Sequence, residues 1–376
     1  MCLGDRCEDT CCQGWSMQVD DATRARYQQR APDLLADVVQ AEEGGWIMRK
    51  DTTTSFCVRL EGGLCGIHKK YGDEMLGDAC HFYPRVTRAL GDQVMRSATM
   101  SCPEIARLTL FTDPQPLAQA EDGRLPNTMK NYLPEGIPAE EALTVHRAFL
   151  DAACDTTATP EQIYLRVART SRSLDILAQK DWHLLTAFYI KDADLRLPDA
   201  QVNASDAFNL LHMLCGLIVA THKTPSPRLR QTVADMESAL AAKLDWNNVT
   251  IAISDLHSIN ALETLRALWQ QHAGHYGPVL RHWLYMQLSM GLHPFAGPGK
   301  NPTERITLLG VRMAMLKLAL LCSHAVHGPL TDADIVRVTQ SLSRLLDHLG
   351  DASFSLSICN ETGWSQEARM RGLLQG

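Results

Sequence analysis

The sequence predicts a mainly α protein: an N-terminal cysteine-rich α+β metal-binding domain followed by an α-helical domain. Three observations carry this. Eight of the 12 cysteines in the 376-residue chain fall in the first 102 residues. Five prolines (Pro114, Pro116, Pro126, Pro134 and Pro138) then crowd residues 112–140. Beyond them, apolar residues recur at three- and four-residue spacing, as in 206–214 and 311–321. The expected division is a cluster domain over 1–112, a Pro-rich linker over 113–138 and a helical domain over 139–376.

Residues 1–20 are rich in cysteine and lack an apolar period, which fits a loop wrapped on a metal. Residues 21–43 read as two short helices hinged before Pro32 and stopped by Gly44-Gly45. The Thr, Phe and Val content of 46–60 suggests an extended hairpin, and Glu61-Gly62-Gly63 a turn. Residues 80–90 and 91–102 read as a second extended pair around Gly91-Asp92. A helix then starts at Cys102-Pro103, since proline is tolerated in a first turn. In the second half the expected helices are 139–156, 160–192 with a break, 203–223, 227–245, 256–272, 276–292, 303–327 and 331–349. Thr331-Asp332-Ala333-Asp334 is a capping signal for the last of these.

Composition excludes several classes. With 45% hydrophobic and 21% charged residues, the chain can bury a real core and is not mainly disordered. The net charge is −7 and no Lys/Arg run exceeds two residues, so nucleic acid is not an expected partner. The opening Met1–Cys7 has no charged segment followed by an apolar one, so no signal peptide is expected. Residues 210–220 are too short to span a bilayer, and Lys317 interrupts the run 313–326. The expectation is a cytoplasmic protein with no membrane partner. Thiols stay reduced in that compartment, so the cysteines point to a metal site rather than to disulfides.

The candidate ligands are Cys2, Cys7, Cys11, Cys12, Cys57, Cys65, Cys80 and Cys102. Four thiols within residues 2–12 exceed what packing needs. Adjacent Cys11 and Cys12 can both reach one metal centre if the chain turns sharply, as Gly14 allows. Thiolates suit zinc or iron–sulfur clusters. The usual Cys-x2-Cys zinc knuckle is absent, which favours iron–sulfur, with zinc as the alternative. His68 and His81 are further candidates beside Cys65 and Cys80.

Four stretches carry a family resemblance: Cys7-Glu8-Asp9-Thr10-Cys11-Cys12-Gln13-Gly14-Trp15, Leu64-Cys65-Gly66-Ile67-His68, Cys80-His81-Phe82-Tyr83-Pro84-Arg85, and Ser101-Cys102-Pro103-Glu104-Ile105-Ala106-Arg107-Leu108. Together they resemble the flagellin lysine-N-methylase family, itself related to a wider group of cysteine-rich Fe/Zn-chelating domains. The resemblance is specific over 2–111 and weaker beyond, where 284–295 is similar to a helix-to-Pro-Phe segment. It implies a cytoplasmic enzyme that uses S-adenosylmethionine to methylate lysines of flagellin. It also implies an iron–sulfur cluster, [4Fe-4S] in type, held by the N-terminal cysteines. Members carry a further stretch before the first cysteine, so Cys2 is the ligand the resemblance supports least.

The residues alone do not yield methyl transfer. The radical motif Cys-x3-Cys-x2-Cys is not met, and no Gly-rich strand-to-helix loop is present. The expected role of the cluster is therefore structural, or to organise the cofactor site. No catalytic residue is assigned. Arg85 is the candidate for a cofactor carboxylate, because a guanidinium matches it bidentately. Glu104 and Arg107 read as a helix-stabilising pair, and Trp15 as a core anchor. The pairs His272/His275 and His324/His327 lack further ligands in sequence. Met313 and Met315 read as core, and Cys154, Cys215, Cys322 and Cys359 as ordinary thiols. A carrier or interaction module built on iron–sulfur or zinc is the rival to an enzyme.

Overall fold

A computed structural model of the chain describes residues 7–12, 15–42, 44–54, 56–114, 125–127, 129–177, 181–184, 199–220, 225–246, 248–253, 255–349 and 351–375. Cys2 lies outside them, as does much of the Pro-rich stretch. The architecture is mainly helical with a few short antiparallel strand pairs.

The N-terminal part begins with α1 (Asp21–Arg30). The Asp20 side chain caps it by accepting from the Thr23 amide. A 3-10 turn over Pro32–Asp37 follows. Val38–Gln40 then forms β1 and pairs with β2 (Trp46–Met48) rather than continuing a helix. The expected hairpin over 46–60 is thus divided. Leu60–Glu61 (β3) turns back onto Leu64–Cys65 (β4), and α2 (Gly66–Tyr71) and α3 (Asp78–Phe82) follow.

The second extended pair is a true hairpin: β5 (Arg85–Leu90) faces β6 (Gln93–Ala98). Gly91, at φ +64°, supplies the positive φ that its two-residue turn needs. Next comes α4 (Pro103–Leu110), where expected. Part of the Pro-rich stretch adheres to this hairpin, since Tyr132 donates its amide to the Ala89 carbonyl at 2.8 Å.

The rest is α5 (Ala139–Ala153), α6 (Pro160–Leu174), α7 (Asp206–Ala220), α8 (Pro227–Ala239), a hairpin of β7 (Ala242–Asp245) and β8 (Thr250–Ile253), α9 (Asp255–Met290), α10 (Pro302–His327), α11 (Asp332–Leu346), α12 (Ser353–Glu361) and α13 (Glu367–Gln375). Capping boxes open α6 (Thr159/Gln162) and α11 (Thr331/Asp334). Two expectations are corrected. The helix expected to 245 stops at Ala239, because 242–245 alternates buried and exposed residues as a strand. The two helices expected over 256–292 are one helix that runs through Pro278. Proline there removes one intrahelical bond, a loss the packing of neighbouring helices outweighs.

Among the described residues, buried apolar side chains form two clusters. A small one holds Met17, Val19, Tyr27, Leu34, Met48, Cys57, Ile67 and Met75, among others. The large one runs from Leu90, Met100 and Leu110 through all the long helices to Leu374. At its centre lies α10, against α6, α8, α9, α11 and α13. By length and composition α10 is apolar enough to cross a membrane, but 94% of its most apolar window is buried inside the protein. Internal burial thus accounts for its apolar character.

Candidate thiol centre and adjoining polar site

The seven described N-terminal cysteines arrive from five separate places: the loop 7–12, which carries three, and the positions of Cys57, Cys65, Cys80 and Cys102. Cys7 donates its thiol to the Asp9 carbonyl at 3.0 Å, and Cys12 donates its amide to Thr10 Oγ1. Cys57 is buried and donates its amide to the Cys12 carbonyl at 2.8 Å, which ties the two groups together. Cys65 ends β4 at the N-terminus of α2, and Cys80 lies within α3. Cys102 stands at the N-terminus of α4.

Electrostatics link these thiols into one network. Burial first, then Cys65, Cys57 and Cys11, push the Cys80 thiol well above its ordinary range. A hydrogen bond to Cys12 pushes Cys11 up. Burial raises Cys102, whose neighbours include Cys7 and Cys11, while the Ile105 and Glu104 amides pull it back. Burial and Cys65 raise Cys57 in the same way. Gathered without a cation, such thiols resist ionisation; a metal removes that penalty as it displaces their protons.

No disulfide links two of the described cysteines. Among the described residues, no three Cys, His, Asp or Glu side chains stand close enough to hold a single metal ion. One tetrahedral zinc, with Zn–S of about 2.3 Å, would need its sulfurs within roughly 3.8 Å of one another. A multi-iron cluster spreads its thiolates wider. The donor set is all thiol, which suits zinc and iron–sulfur clusters alike. His81 faces Asp73 at 3.7 Å, and His68 is exposed on α2.

Two acidic residues of the cysteine loop clamp it to the helical body. Glu8 pairs with Arg107 of α4 at 2.6 Å and Arg228 of α8 at 3.1 Å. Asp9 accepts from Arg344 at 2.5 Å and Gln340 at 2.7 Å, both on α11. Arg107 also makes the expected pair with Glu104.

Beside the thiols lies a polar site that sequence reasoning missed. Trp15 stacks near Tyr83 and His348, with ring centroids 6.0 and 6.4 Å away. Its indole N–H donates to the Cys11 carbonyl at 2.6 Å, so it anchors the cysteine loop. Tyr83 Oη is 3.2 Å from Ser101 Oγ, which is 2.9 Å from His348 Nε2. Thr99 donates to Asp347 at 2.8 Å and Gln287 donates to it at 3.1 Å. Burial holds the Asp347 carboxyl above its ordinary range, against the pull of Arg312. The only sequence signal was that Tyr83 and Ser101 flank Cys80 and Cys102. Arg85 is exposed and donates to the carbonyls of His81 and Phe82 in α3.

Of the distant pairs, His272 and His324 come together at 4.4 Å between ring centroids, and Tyr276 Oη meets His324 Nδ1 at 2.7 Å. His327 instead faces Asp235 at 2.8 Å. Met313, Met315, Cys215, Cys322 and Cys359 are buried in the large core.

The class these features define is a mainly helical protein with a thiol-rich N-terminal unit. The chain is similar to the lysine-N-methylase of Salmonella typhimurium, 26% identical over 129 residues, or 32% of each chain. The Salmonella choleraesuis protein of that name matches equally. It is also similar to the flagellar biosynthetic protein FliU of Salmonella muenchen, 25% identical over 131 residues, 32% of this chain and 76% of that one. The match thus spans about a third of the length of the lysine-N-methylases. It agrees with the resemblance carried by the cysteine motifs. No protein-family profile and no solved structure matches the chain.

Proposed function

We propose that the protein is an S-adenosylmethionine-dependent lysine N-methyltransferase, cytoplasmic, acting on flagellin, with a [4Fe-4S]-type cluster held by its N-terminal cysteines. The single observation that carries the reading is the gathering of seven thiols into one network beside an aromatic and polar site, in a chain similar to proteins named lysine-N-methylase.

Methyl transfer from a sulfonium to an amine needs a neutral lysine, whose ordinary pKa is about 10.4. A nearby acceptor must take its proton. In this reading, His348 is that acceptor: it is exposed at the edge of the site, and Ser101 and Trp15 fix its ring. Tyr83, whose phenol burial keeps protonated, orients Ser101. The cluster, when bound, supplies a rigid cross-link among the loops that carry Trp15, Tyr83 and Ser101. Cys7, Cys11, Cys12, Cys57, Cys65, Cys80 and Cys102 would hold it, with Cys2 as the eighth candidate.

Intact mass of flagellin from cells with and without the gene tests the activity. Increments of 14 Da that vanish with the gene are expected, and identical masses would overturn it. Brown protein that dithionite bleaches is expected for the cluster. Colourless, zinc-loaded protein would turn the reading to a zinc-stabilised interaction module.

A further inference from the structure

The function proposed above leaves the lysine proton on His348, whose ring is exposed. Behind that ring stands a file of hydrogen-bonding atoms. Ser101 Oγ lies 2.9 Å from His348 Nε2 and 3.0 Å from Thr99 Oγ1. Thr99 Oγ1 in turn lies 2.8 Å from Asp347 Oδ2. Both hydroxyl residues are buried. The backbone fixes them: the Ser101 amide donates to Thr99 Oγ1 at 3.1 Å, the Thr99 amide donates to the Pro84 carbonyl at 2.9 Å, and the Ser101 carbonyl accepts from Gln340 at 3.0 Å. Donor chemistry sets the direction of the file. A hydroxyl has one proton, and a carboxylate only accepts. With Asp347 ionised, Thr99 therefore donates to Asp347, Ser101 to Thr99, and His348 Nε2–H to Ser101. With Asp347 protonated every bond reverses: the carboxyl donates to Thr99, Thr99 to Ser101, and Ser101 to a bare Nε2. The same four groups fit both states without moving a heavy atom.

Resting on that reading, we propose that Asp347 is the terminal acceptor of the lysine proton, reached from His348 through Ser101 and Thr99. The lysine ammonium gives its proton to His348 Nδ1, the ring nitrogen that Ser101 does not engage. The Nε2 proton passes to Ser101, the Ser101 proton to Thr99, and the Thr99 proton to Asp347. The ammonium becomes an amine and the carboxylate a carboxylic acid. The imidazole ends neutral, with its proton on the other nitrogen. Thr99 and Asp347 act through His348 and are positioning residues. Burial favours Asp347 as the end of the path, holding its carboxyl above the ordinary range although Arg312 of α10, Thr99, His348 and Gln287 of α9 all pull it down. Around His348 itself stand Trp15, Tyr83 and Ser101. Charge favours the path as well. A proton left on the ring would put an imidazolium in one site with the cationic methyl donor, and like charges at close range repel.

Nitrogen NMR of the full chain, with labelled histidine, tests this; the His348 signals are those lost in His348→Gln. On the first proton uptake below neutral pH, wild type is expected to move its ring proton from Nε2 to Nδ1 and to form imidazolium only in a later step. Thr99→Val cuts the file, so its ring should go straight to imidazolium, while Thr99→Ser should restore the wild-type order. In flagellin methylation, Thr99→Val should lose at least about 10-fold in kcat with KM little changed, less than the roughly 100-fold or more expected for losing the base itself. Thr99→Ser should recover most of that rate. Thermal midpoints report on folding, and the wild-type order decides the case even if Thr99→Val melts early. Imidazolium as the first product in wild type would overturn the relay and leave the methyl-transfer reading untouched. Full kcat in Thr99→Val would overturn it too. Should wild type show the change of tautomer yet leave flagellin unmodified, the proton path stands and the methyl-transfer reading falls.

Discussion

The two apolar clusters hold their parts of the chain by different means. The helical body buries long helices on all sides of α10, and its cohesion is the area removed from water. The N-terminal unit has strands of two or three residues, a small cluster that counts Cys57 among its members, and loops fixed by ion pairs and thiols. Small cores of this kind commonly rely on a metal or cross-links for stability. The comparison teaches that the body is held by a large apolar core, whereas the unit carrying the motifs has a small one and leans more on ion pairs.

The largest expected effect breaks the body. Phe149 is fully buried against the His293 ring at 4.8 Å. Phe149→Ala should cost about 3–5 kcal/mol through the cavity it leaves. Denaturant unfolding followed by far-ultraviolet circular dichroism measures it, since most helix lies in the body. A loss below about 1 kcal/mol would show that the large cluster is loosely packed.

Next is the clamp between the two regions. Asp9 and Arg344 are largely shielded, at 11% and 16% side-chain exposure. Asp9→Ala removes the carboxylate that Arg344 and Gln340 share and should cost about 2–3 kcal/mol, somewhat below the figure for breaking a fully buried pair. The loss should show as early protease cleavage before Trp15 with the helical melt little changed. Cleavage and melt moving together would mean that the two regions unfold as one.

How much of this was legible in the sequence follows from separation along the chain. Local signals read well: Gly91-Asp92 at the hairpin turn, Pro103 opening α4, Thr331/Asp334 capping α11. The structure brings seven of the N-terminal thiols within electrostatic reach of one another, while among the described residues no three possible ligands stand close enough for a single metal ion. The clamp was invisible because Glu8 meets Arg107 across 99 positions and Asp9 meets Arg344 across 335. Glu8 and Asp9 lie inside the quoted motif, where nothing local assigns them a partner. The polar site was missed for the same reason: Ser101 meets His348 across 247 positions. The break expected between 272 and 276 does not occur, because tertiary packing carries one continuous helix, α9, through this region and on through Pro278.

A third test uses pH to separate the regions. His146 and His293 of the body are buried neutral, pulled down by burial to about 4 and about 3. The unfolded chain takes up their protons near 6.5 and the folded chain does so only lower. Their contribution is therefore present above 6.5 and lost as pH falls from 6.5 toward 4. The slope is at most about 1.4 kcal/mol per pH unit for each histidine. Denaturant midpoints at pH 7, 6 and 5 should fall accordingly, and His146→Gln should flatten the slope by up to half. An unchanged slope in that variant would place the acid sensitivity elsewhere, with the carboxylates of the N-terminal unit the first alternative.

The smallest effect sharpens the comparison most, because it separates stability from docking. Glu8 is about one-third exposed, at 35%, and its partners Arg107 and Arg228 are 39% and 17% exposed. Solvent screens such pairs, so Glu8→Gln should change global stability by no more than about 1 kcal/mol. Yet Glu8 is next to Cys7 and is the link from the cysteine loop to both α4 and α8. If the loop must be docked for its thiols to converge, Glu8→Gln should lower bound iron per chain while the thermal midpoint of the body stays within a degree or two. Full iron content in that variant would mean that the thiols gather without the clamp. The ion pairs would then fasten a unit that is already formed, rather than help to form it.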